Sequence, residues 1–96
     1  MATRRAGQGS LSLRLYVAGN APNSARAHAN IRAICEGHFA EHYTLEVVDM
    51  LADPRRALAD AIIVTPTLLK LEPEPALRVI GDLGNTAEVL LLLGAK

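Results

Sequence analysis

The stretch from Leu15 to Ser24 decides the fold, and it reads Leu-Tyr-Val-Ala-Gly-Asn-Ala-Pro-Asn-Ser. Apolar residues lead into a short segment that contains a glycine and a proline, and a segment with helical character follows. This order predicts a buried strand that ends in a tight loop and opens directly into a helix. Ser24 is predicted to be the N-cap of that helix, because a serine hydroxyl can accept a hydrogen bond from a free backbone N–H.

The segments on either side of this loop have clear periods. Upstream, apolar residues at every second position predict a strand with one buried face; they are Leu11, Leu13, Leu15 and Val17. Downstream, residues at helical spacing predict a helix whose buried face holds Ala27, Ile31, Ile34, Cys35 and His38. A second strand is expected over Tyr43–Asp49, and a helical connection between two strands favours a parallel, right-handed crossover.

The second half of the chain predicts a helix, a hairpin and a last helix. Asp53-Pro54 is typical of a helix start, and helical spacing continues to Ile62. Strands are expected over residues 67–71 and 77–80, joined by a turn with two prolines. Asn85 and Glu88 have the spacing of a capping box for a helix through Leu93. The predicted order is therefore strand, helix, strand, helix, strand, strand, helix.

Two apolar segments in this half remain open between helix and strand. Residues 61–64 end the proposed helix but are rich in β-branched side chains, which favour strands. Residues 89–93 are apolar without a period, so they fit a helix buried on several sides or a buried strand. A further alternative is that the two segments reflect two competing packings of the same chain.

Composition limits the classes of function. The 96 residues suffice for one domain, expected over residues 10–96 after a flexible lead-in of residues 1–9. Ten basic residues balance ten acidic ones and only three residues are aromatic, which argues against nucleic-acid binding. There is no signal peptide pattern and no apolar run long enough for a membrane span. A cytoplasmic domain is therefore expected.

Catalytic motifs are weak. The single cysteine, Cys35, lies on the predicted apolar face of the first helix and is expected to be a buried core residue. The segment from His38 to His42 matches the His-x-x-Glu-His pattern of some zinc peptidases. It follows Gly37 at the end of a helix and has no evident third ligand, so surface histidines explain it better.

The strand–loop–helix junction resembles that of thioredoxins, which place a redox Cys-Gly-Pro-Cys there. Residues 20–23 are Asn-Ala-Pro-Asn, so the proline is kept and both sulfurs are absent. A thioredoxin-like domain also has a cis-proline before a strand and opposite this loop, and Pro66 in Thr65-Pro66-Thr67 is the candidate. The resemblance implies a thioredoxin-like βαβαββα fold that is used for binding.

Four segments in register resemble the KaiB family of bacterial circadian clock proteins more specifically. They span residues 15–24, 47–54, 61–68 and 78–83. The resemblance implies no catalytic residue, no cofactor and no metal. It implies binding to the first ATPase ring of the kinase KaiC, with modulation of KaiC phosphorylation, and a second partner, KaiA. It also implies self-association to a dimer or tetramer, and an alternative ground-state fold with a rearranged second half.

Several residues match the family's functional positions. Leu51 and Lys70 match partner-binding positions, and Gly81 with Asp82 match the loop that biases the change of fold. Three departures accompany them: Ala61 and Glu46 replace lysines that many relatives have near KaiC and KaiA, and the family's acidic C-terminal tail is absent. These departures argue for altered KaiC binding and against KaiA binding.

Two other functions are kept as alternatives. The first is a KaiB-like sensor domain of a histidine kinase, which is related to the same family. The second is an enzyme, either a thiol oxidoreductase that uses Cys35 or a metallopeptidase that uses the His38–His42 motif.

Overall fold

A computed structural model describes residues 10–94 of the chain, so the expected lead-in of residues 1–9 lies outside the described residues. The order of elements is the predicted one, and it confirms the thioredoxin-like βαβαββα arrangement. The elements are β1 (Leu11–Val17), α1 (Pro22–His38), β2 (Tyr43–Asp49), α2 (Pro54–Ala59), β3 (Thr67–Glu72), β4 (Leu77–Ile80) and α3 (Thr86–Leu93).

The four strands form one mixed sheet in the order β2-β1-β3-β4. β1 and β2 run parallel, with Leu11 opposite Tyr43 and Val17 opposite Asp49. β3 runs antiparallel to both β1 and β4. The predicted parallel crossover through α1 and the predicted hairpin of β3 and β4 are both confirmed.

Helices cover the sheet on both faces, which gives the domain two apolar cores. The larger core joins alternate residues of β1 to α1, α3 and Leu68 of β3. The smaller core lies under α2 and contains Tyr16, Val48, Ala57, Ile62 and Leu69. The prediction that β1 has only one buried face is therefore wrong, because α2 also covers Tyr16 on the second face.

The structure differs from two predictions about α1. α1 begins at Pro22 with Ala21 as its N-cap, so Ser24 is not the cap. The Ser24 hydroxyl lies inside the first turn and instead accepts a hydrogen bond from the N–H of Ala18 (3.0 Å). His38, at the end of α1, is exposed and does not belong to the buried face.

α2 ends at Ala59 and not at Ile62 as predicted. The chain leaves the helix because Ala61 has a left-handed backbone conformation (φ 55°), which no helical turn accepts. The N–H of Ile62 then bonds the carbonyl of Ala57 (2.9 Å), and the Ile62 side chain enters the smaller core. This turn leaves Ile63 and Val64 outside any regular element.

Residues 89–93 form part of α3, so the helical interpretation of this segment is correct. The Asn85 side chain caps the helix by accepting the N–H of Glu88 (3.1 Å), as predicted. Val89 and Leu93 face the core, whereas Leu91 is 76% exposed, so the helix is buried on one side only. None of the helices within residues 10–94 has the length and hydropathy that a membrane span requires.

Candidate docking surface

Four loops meet at one end of the sheet, where β1, β2 and β4 end and β3 begins. The Asp49 carboxylate ties the first two loops together, because its Oδ1 accepts the N–H groups of Gly19 and Leu51, each at 3.0 Å. The N–H of Met50 also donates to the carbonyl of Val17 (2.8 Å). These bonds fix the loop after β2 against the loop after β1.

Leu51, predicted to bind a partner, lies on this end of the domain and is 72% exposed. Its Cδ1 lies 3.3 Å from the place where a Cβ on Gly19 would be. Gly19 also has a positive φ of 54°, which favours glycine. The glycine therefore leaves room for Leu51 to lie over the loop while most of the leucine side chain stays in solvent.

The other two loops are joined through Pro66 and Gly81. The Thr65–Pro66 peptide bond is cis, and the carbonyl of Pro66 accepts the N–H of Gly81 (3.1 Å). Asp82 then closes its own loop, since its Oδ1 accepts the N–H of Gly84 (2.9 Å). The structure thus places Pro66 next to the Gly81–Asp82 loop.

An apolar groove lies beside these loops, on the sheet face that carries α2. A cavity of about 410 Å³ lies between the segment that follows α2, the start of β3 and β4. Ile63 is 87% exposed and Ile80 is 66% exposed. Exposed apolar side chains in one patch are typical of protein interaction sites. We refer to this feature as the apolar groove; it is lined by Ala61, Ile63, Val64, Thr67, Arg78 and Ile80.

Arg78 links the two sides of the apolar groove, which are β4 and the segment that follows α2. From β4 its guanidinium donates to the carbonyl oxygens of Asp60 and, at 3.2 Å, of Ala61. Thr67 makes a similar local bond, because its hydroxyl donates to the carbonyl of Val64 (2.6 Å). The segment between α2 and β3 is therefore held by hydrogen bonds although its apolar side chains face solvent.

Lys70, the other residue predicted to bind a partner, lies away from this surface. It is three residues into β3 from the loop end, opposite Leu13 on β1 and Leu77 on β4. Its side chain is only 4% exposed. The structure therefore does not bring Lys70 together with Leu51.

A network of charged side chains joins α2 to the strands below it. Arg14 bonds Glu46 from the neighbouring strand (2.9 Å) and Asp60 from the end of α2 (3.0 Å). Arg56 on α2 bonds the same Glu46. Tyr16 donates from its hydroxyl to Asp60 (2.5 Å). We call these five residues the α2 network.

The α2 network shifts the pKa values of its acidic members. Hydrogen bonds from Arg56 and Arg14 lower the pKa of Glu46 to about 2. A hydrogen bond from Tyr16, with help from Arg14, lowers the pKa of Asp60. Burial, followed by the bond to Asp60, raises the pKa of Tyr16 to about 12. Both carboxylates are thus ionised and Tyr16 is neutral at pH 7.

The residues required for thiol or zinc chemistry are poorly placed for it. Cys35 is fully buried, as predicted, and burial raises the pKa of its thiol to about 11. A thiol in that state is protonated at neutral pH and is a poor nucleophile. His38 and His42 are exposed, and residues 10–94 contain no group of three metal-ligating side chains placed to share one ion.

The apolar groove and the α2 network were not predictable from the sequence pattern. The exposure of Ile63 and Ile80 had no sequence signal, because β-branched residues at a helix end or on a strand are usually buried. The network did have one partial signal. Arg14 and Glu46 occupy opposite positions in the parallel register of β1 and β2, so their pairing follows once the register is known.

Comparison with known proteins gives a consistent result. A family model described as the KaiB domain matches residues 14–95. The chain is 48% identical over 79 residues to the circadian clock protein KaiB3 of Synechocystis sp., covering 82% of this chain and 78% of that protein. It is 49% identical to the circadian clock oscillator protein KaiB of Thermosynechococcus vestitus, covering 82% and 73%.

Solved structures agree on the fold. The N-terminal domain of SasA from Synechococcus elongatus superposes with a TM-score of 0.74 at 22% identity, covering 97% of this chain and 88% of that one. Chloroplastic thioredoxin z superposes with a TM-score of 0.77 at 17% identity, covering 93% and 80%. At these identities the likeness concerns the fold alone.

Proposed function

The chain belongs to the KaiB family of circadian clock proteins, and on this basis we propose that it is a non-enzymatic regulator that binds the ATPase ring of a KaiC-type kinase. Binding would change the balance between phosphorylation and dephosphorylation of that kinase. The observation that carries the proposal is the exposed apolar surface at the loop end of the sheet, in a domain whose redox positions hold no sulfur.

The apolar groove and Leu51 are the docking elements in this proposal. Exposed aliphatic side chains such as Ile63 and Ile80 gain free energy when a partner covers them. Arg78 holds the groove in shape, so little ordering is needed on binding. Lys70 takes part only if its side chain leaves the position that it has here, where it is almost fully buried.

A change of fold is part of the proposal. The four-stranded thioredoxin-like form described here would be the state that binds the kinase, and a self-associated state with a rearranged second half would be its alternative. The loop of Gly81 and Asp82 would bias the two states. If the alternative dominates in the free protein, binding is slow, because the competent state must form first.

The α2 network bears on the second proposed partner, KaiA. Glu46 lies on β2, an edge strand of the sheet, and pairs with Arg14 and Arg56. This edge strand therefore presents a carboxylate where the family resemblance implies a lysine. We therefore propose that this chain acts in a system in which KaiA binding is weak or absent.

Mixing the chain with a cognate KaiC hexamer and ATP tests the main proposal. Co-elution that develops over minutes to hours is expected, together with a change in KaiC phosphorylation. Ile80→Glu should weaken the complex by about ten-fold or more, since it places a charge in the apolar groove. The matched control is Leu91→Glu, which adds the same charge at another exposed aliphatic residue, on the other face of the sheet.

Absence of a complex after a day, with unchanged phosphorylation, would reject the proposal. Equal weakening by both substitutions would reject the apolar groove as the docking site, but a KaiC-type kinase would remain the proposed partner. A second candidate is a KaiB-like sensor domain of a histidine kinase, which would have the fold that this chain shares with the SasA N-terminal domain. Light scattering separates the two, because a stable tetramer of the free chain does not fit a sensor domain.

A further inference from the structure

A second cavity, of about 320 Å³, lies on the flank of α1, away from the apolar groove. Its polar lining comes from one row of the helix, because Ser24, His28 and Arg32 are spaced four residues apart and so lie on one face. Asn20, in the loop before the helix, is a further polar residue of the lining. Ala25 and Ala29 border the row and are too small to cover it.

His28 carries the unusual feature of this cavity. Its Nε2 atom is buried and has no hydrogen-bond partner among the described residues. A buried polar atom without a partner costs about 1–3 kcal/mol, so such atoms normally meet a ligand or water. The His28 residue is one of those that line the cavity, which is large enough for a small molecule.

The charge around the cavity selects the kind of ligand. Arg32 is the only fully charged side chain of the lining, and no carboxylate contributes to it. Arg32 forms no ion pair within residues 10–94. Glu36, one turn further along α1, accepts a hydrogen bond from the Tyr43 hydroxyl (2.5 Å). Asp49, at the opposite end, is engaged by backbone N–H groups.

We propose that this cavity binds a small organic anion whose phosphate or carboxylate group contacts Arg32 and His28. Arg32 supplies a planar set of N–H donors that fits either oxyanion, and Nε2 of His28 supplies one more when it carries a proton. The Asn20 amide and the Ser24 hydroxyl are further donors in the lining. The alanine side of the cavity accommodates the uncharged part of the ligand.

The test is a titration of the full chain with inorganic phosphate and, separately, with acetate, followed by NMR of backbone amides and imidazole nitrogens. Sodium chloride at the same ionic strength is the reference. Saturable shifts confined to residues around His28 and Arg32 are expected with at least one of the two anions. The anion that binds identifies the head group, and either result supports the proposal.

Matched substitutions make the test specific. Arg32→Gln and His28→Leu should each weaken anion binding at least about ten-fold, because the first removes a charge and the second removes a donor. Arg55→Gln and His42→Leu are the controls, since both residues are exposed and lie outside the cavity. Ala29→Leu fills the cavity at an exposed helix position and should block binding without any change of charge.

Three results would overturn the proposal. The first is the absence of saturable shifts with both anions, which would assign the Nε2 atom of His28 to a water molecule. The second is an equal effect of chloride, which would indicate general screening. The third is equal binding by the wild type, Arg32→Gln and Ala29→Leu.

Discussion

The hydroxyl of Tyr16 donates a 2.5 Å hydrogen bond to the carboxylate of Asp60, 44 residues away in the chain. Tyr16 lies on β1, in the half of the chain that forms the parallel βαβ unit, whereas Asp60 is the C-cap of α2, in the other half. The same hydroxyl lies 2.9 Å from the carbonyl of Arg56. One phenol therefore holds the last turn of α2 on the sheet.

Removal of this hydroxyl should loosen α2. We expect Tyr16→Phe to lower the free energy of unfolding by about 1.5–3 kcal/mol, the usual range for a hydrogen bond to a charged group. Urea unfolding followed by circular dichroism measures the change. Tyr43→Phe is the control, because the Tyr43 hydroxyl donates a hydrogen bond of the same length to Glu36 at the surface. Its loss should lower the free energy of unfolding by less. Equal losses would contradict a special role for Tyr16.

Acid should weaken the same attachment. In the folded chain the pKa of Glu46 is lowered from 4.5 to about 2, and that of Asp60 is also lowered. A carboxylate with a lowered pKa stabilises the fold above its ordinary pKa, and the stabilisation disappears as the pH falls through the folded value. Stability should therefore decline between about pH 5 and pH 2.

Glu46→Gln and Asp60→Asn should each flatten this decline, and urea unfolding at a series of pH values measures it. Glu46 is partly exposed, so salt should reduce its share of the effect. Glu41→Gln is the control, because Glu41 is exposed and forms no ion pair in the part of the chain that the structure describes. If neither Glu46→Gln nor Asp60→Asn changes how the free energy of unfolding depends on pH, the α2 network is not the cause of the decline.

The order and type of the elements follow from the sequence because each depends on neighbours in the chain. The alternation of Leu11, Leu13, Leu15 and Val17 is local, and so is the cap that Asn85 gives to α3. The same local pattern predicts Ser24 as a cap, but the helix begins at Pro22, one turn earlier than a cap at Ser24 allows. The local signals therefore predict helix α1 correctly but place its first turn wrongly, because Pro22 and Ser24 both favour a helix start.

The candidate site depends on distant contacts, and little of it could be predicted. The burial of Tyr16 requires α2 to cover the second face of the sheet, which no pattern within β1 reveals. The exposure of Ile63 follows from the left-handed Ala61, which turns the chain out of the helix. The family resemblance predicts functional roles for Leu51 and the Gly81–Asp82 loop. It does not predict that the Lys70 side chain is buried.

Cys35 should be almost unreactive in the folded chain. At pH 8 a thiol whose pKa is about 11 has a thiolate fraction roughly two orders of magnitude smaller than an ordinary cysteine. We expect labelling by a thiol reagent to be slow in buffer and fast in urea, as followed by absorbance. Labelling in buffer at the rate of a free cysteine would contradict the burial of Cys35 and revive the oxidoreductase alternative.

Gly81 should control the stability of the thioredoxin-like form. Its φ of 117° lies in a region that residues with a side chain avoid, although open space surrounds the position. Gly81→Ala should therefore destabilise this form by about 1 kcal/mol or more. Gly37→Ala, within helix α1 and also in open space, is the matched control and should stabilise the fold slightly.

Urea unfolding gives the stability of both variants, and backbone NMR shows whether a second set of resonances gains intensity. If this loop biases a change of fold, Gly81→Ala should increase the second set and Gly37→Ala should not. The bond from the N–H of Gly81 to Pro66 supports this expectation, because a shift of the loop would also release the start of β3. Loss of stability without a second set would indicate simple unfolding, and the proposed role of Gly81 in fold change would then be wrong.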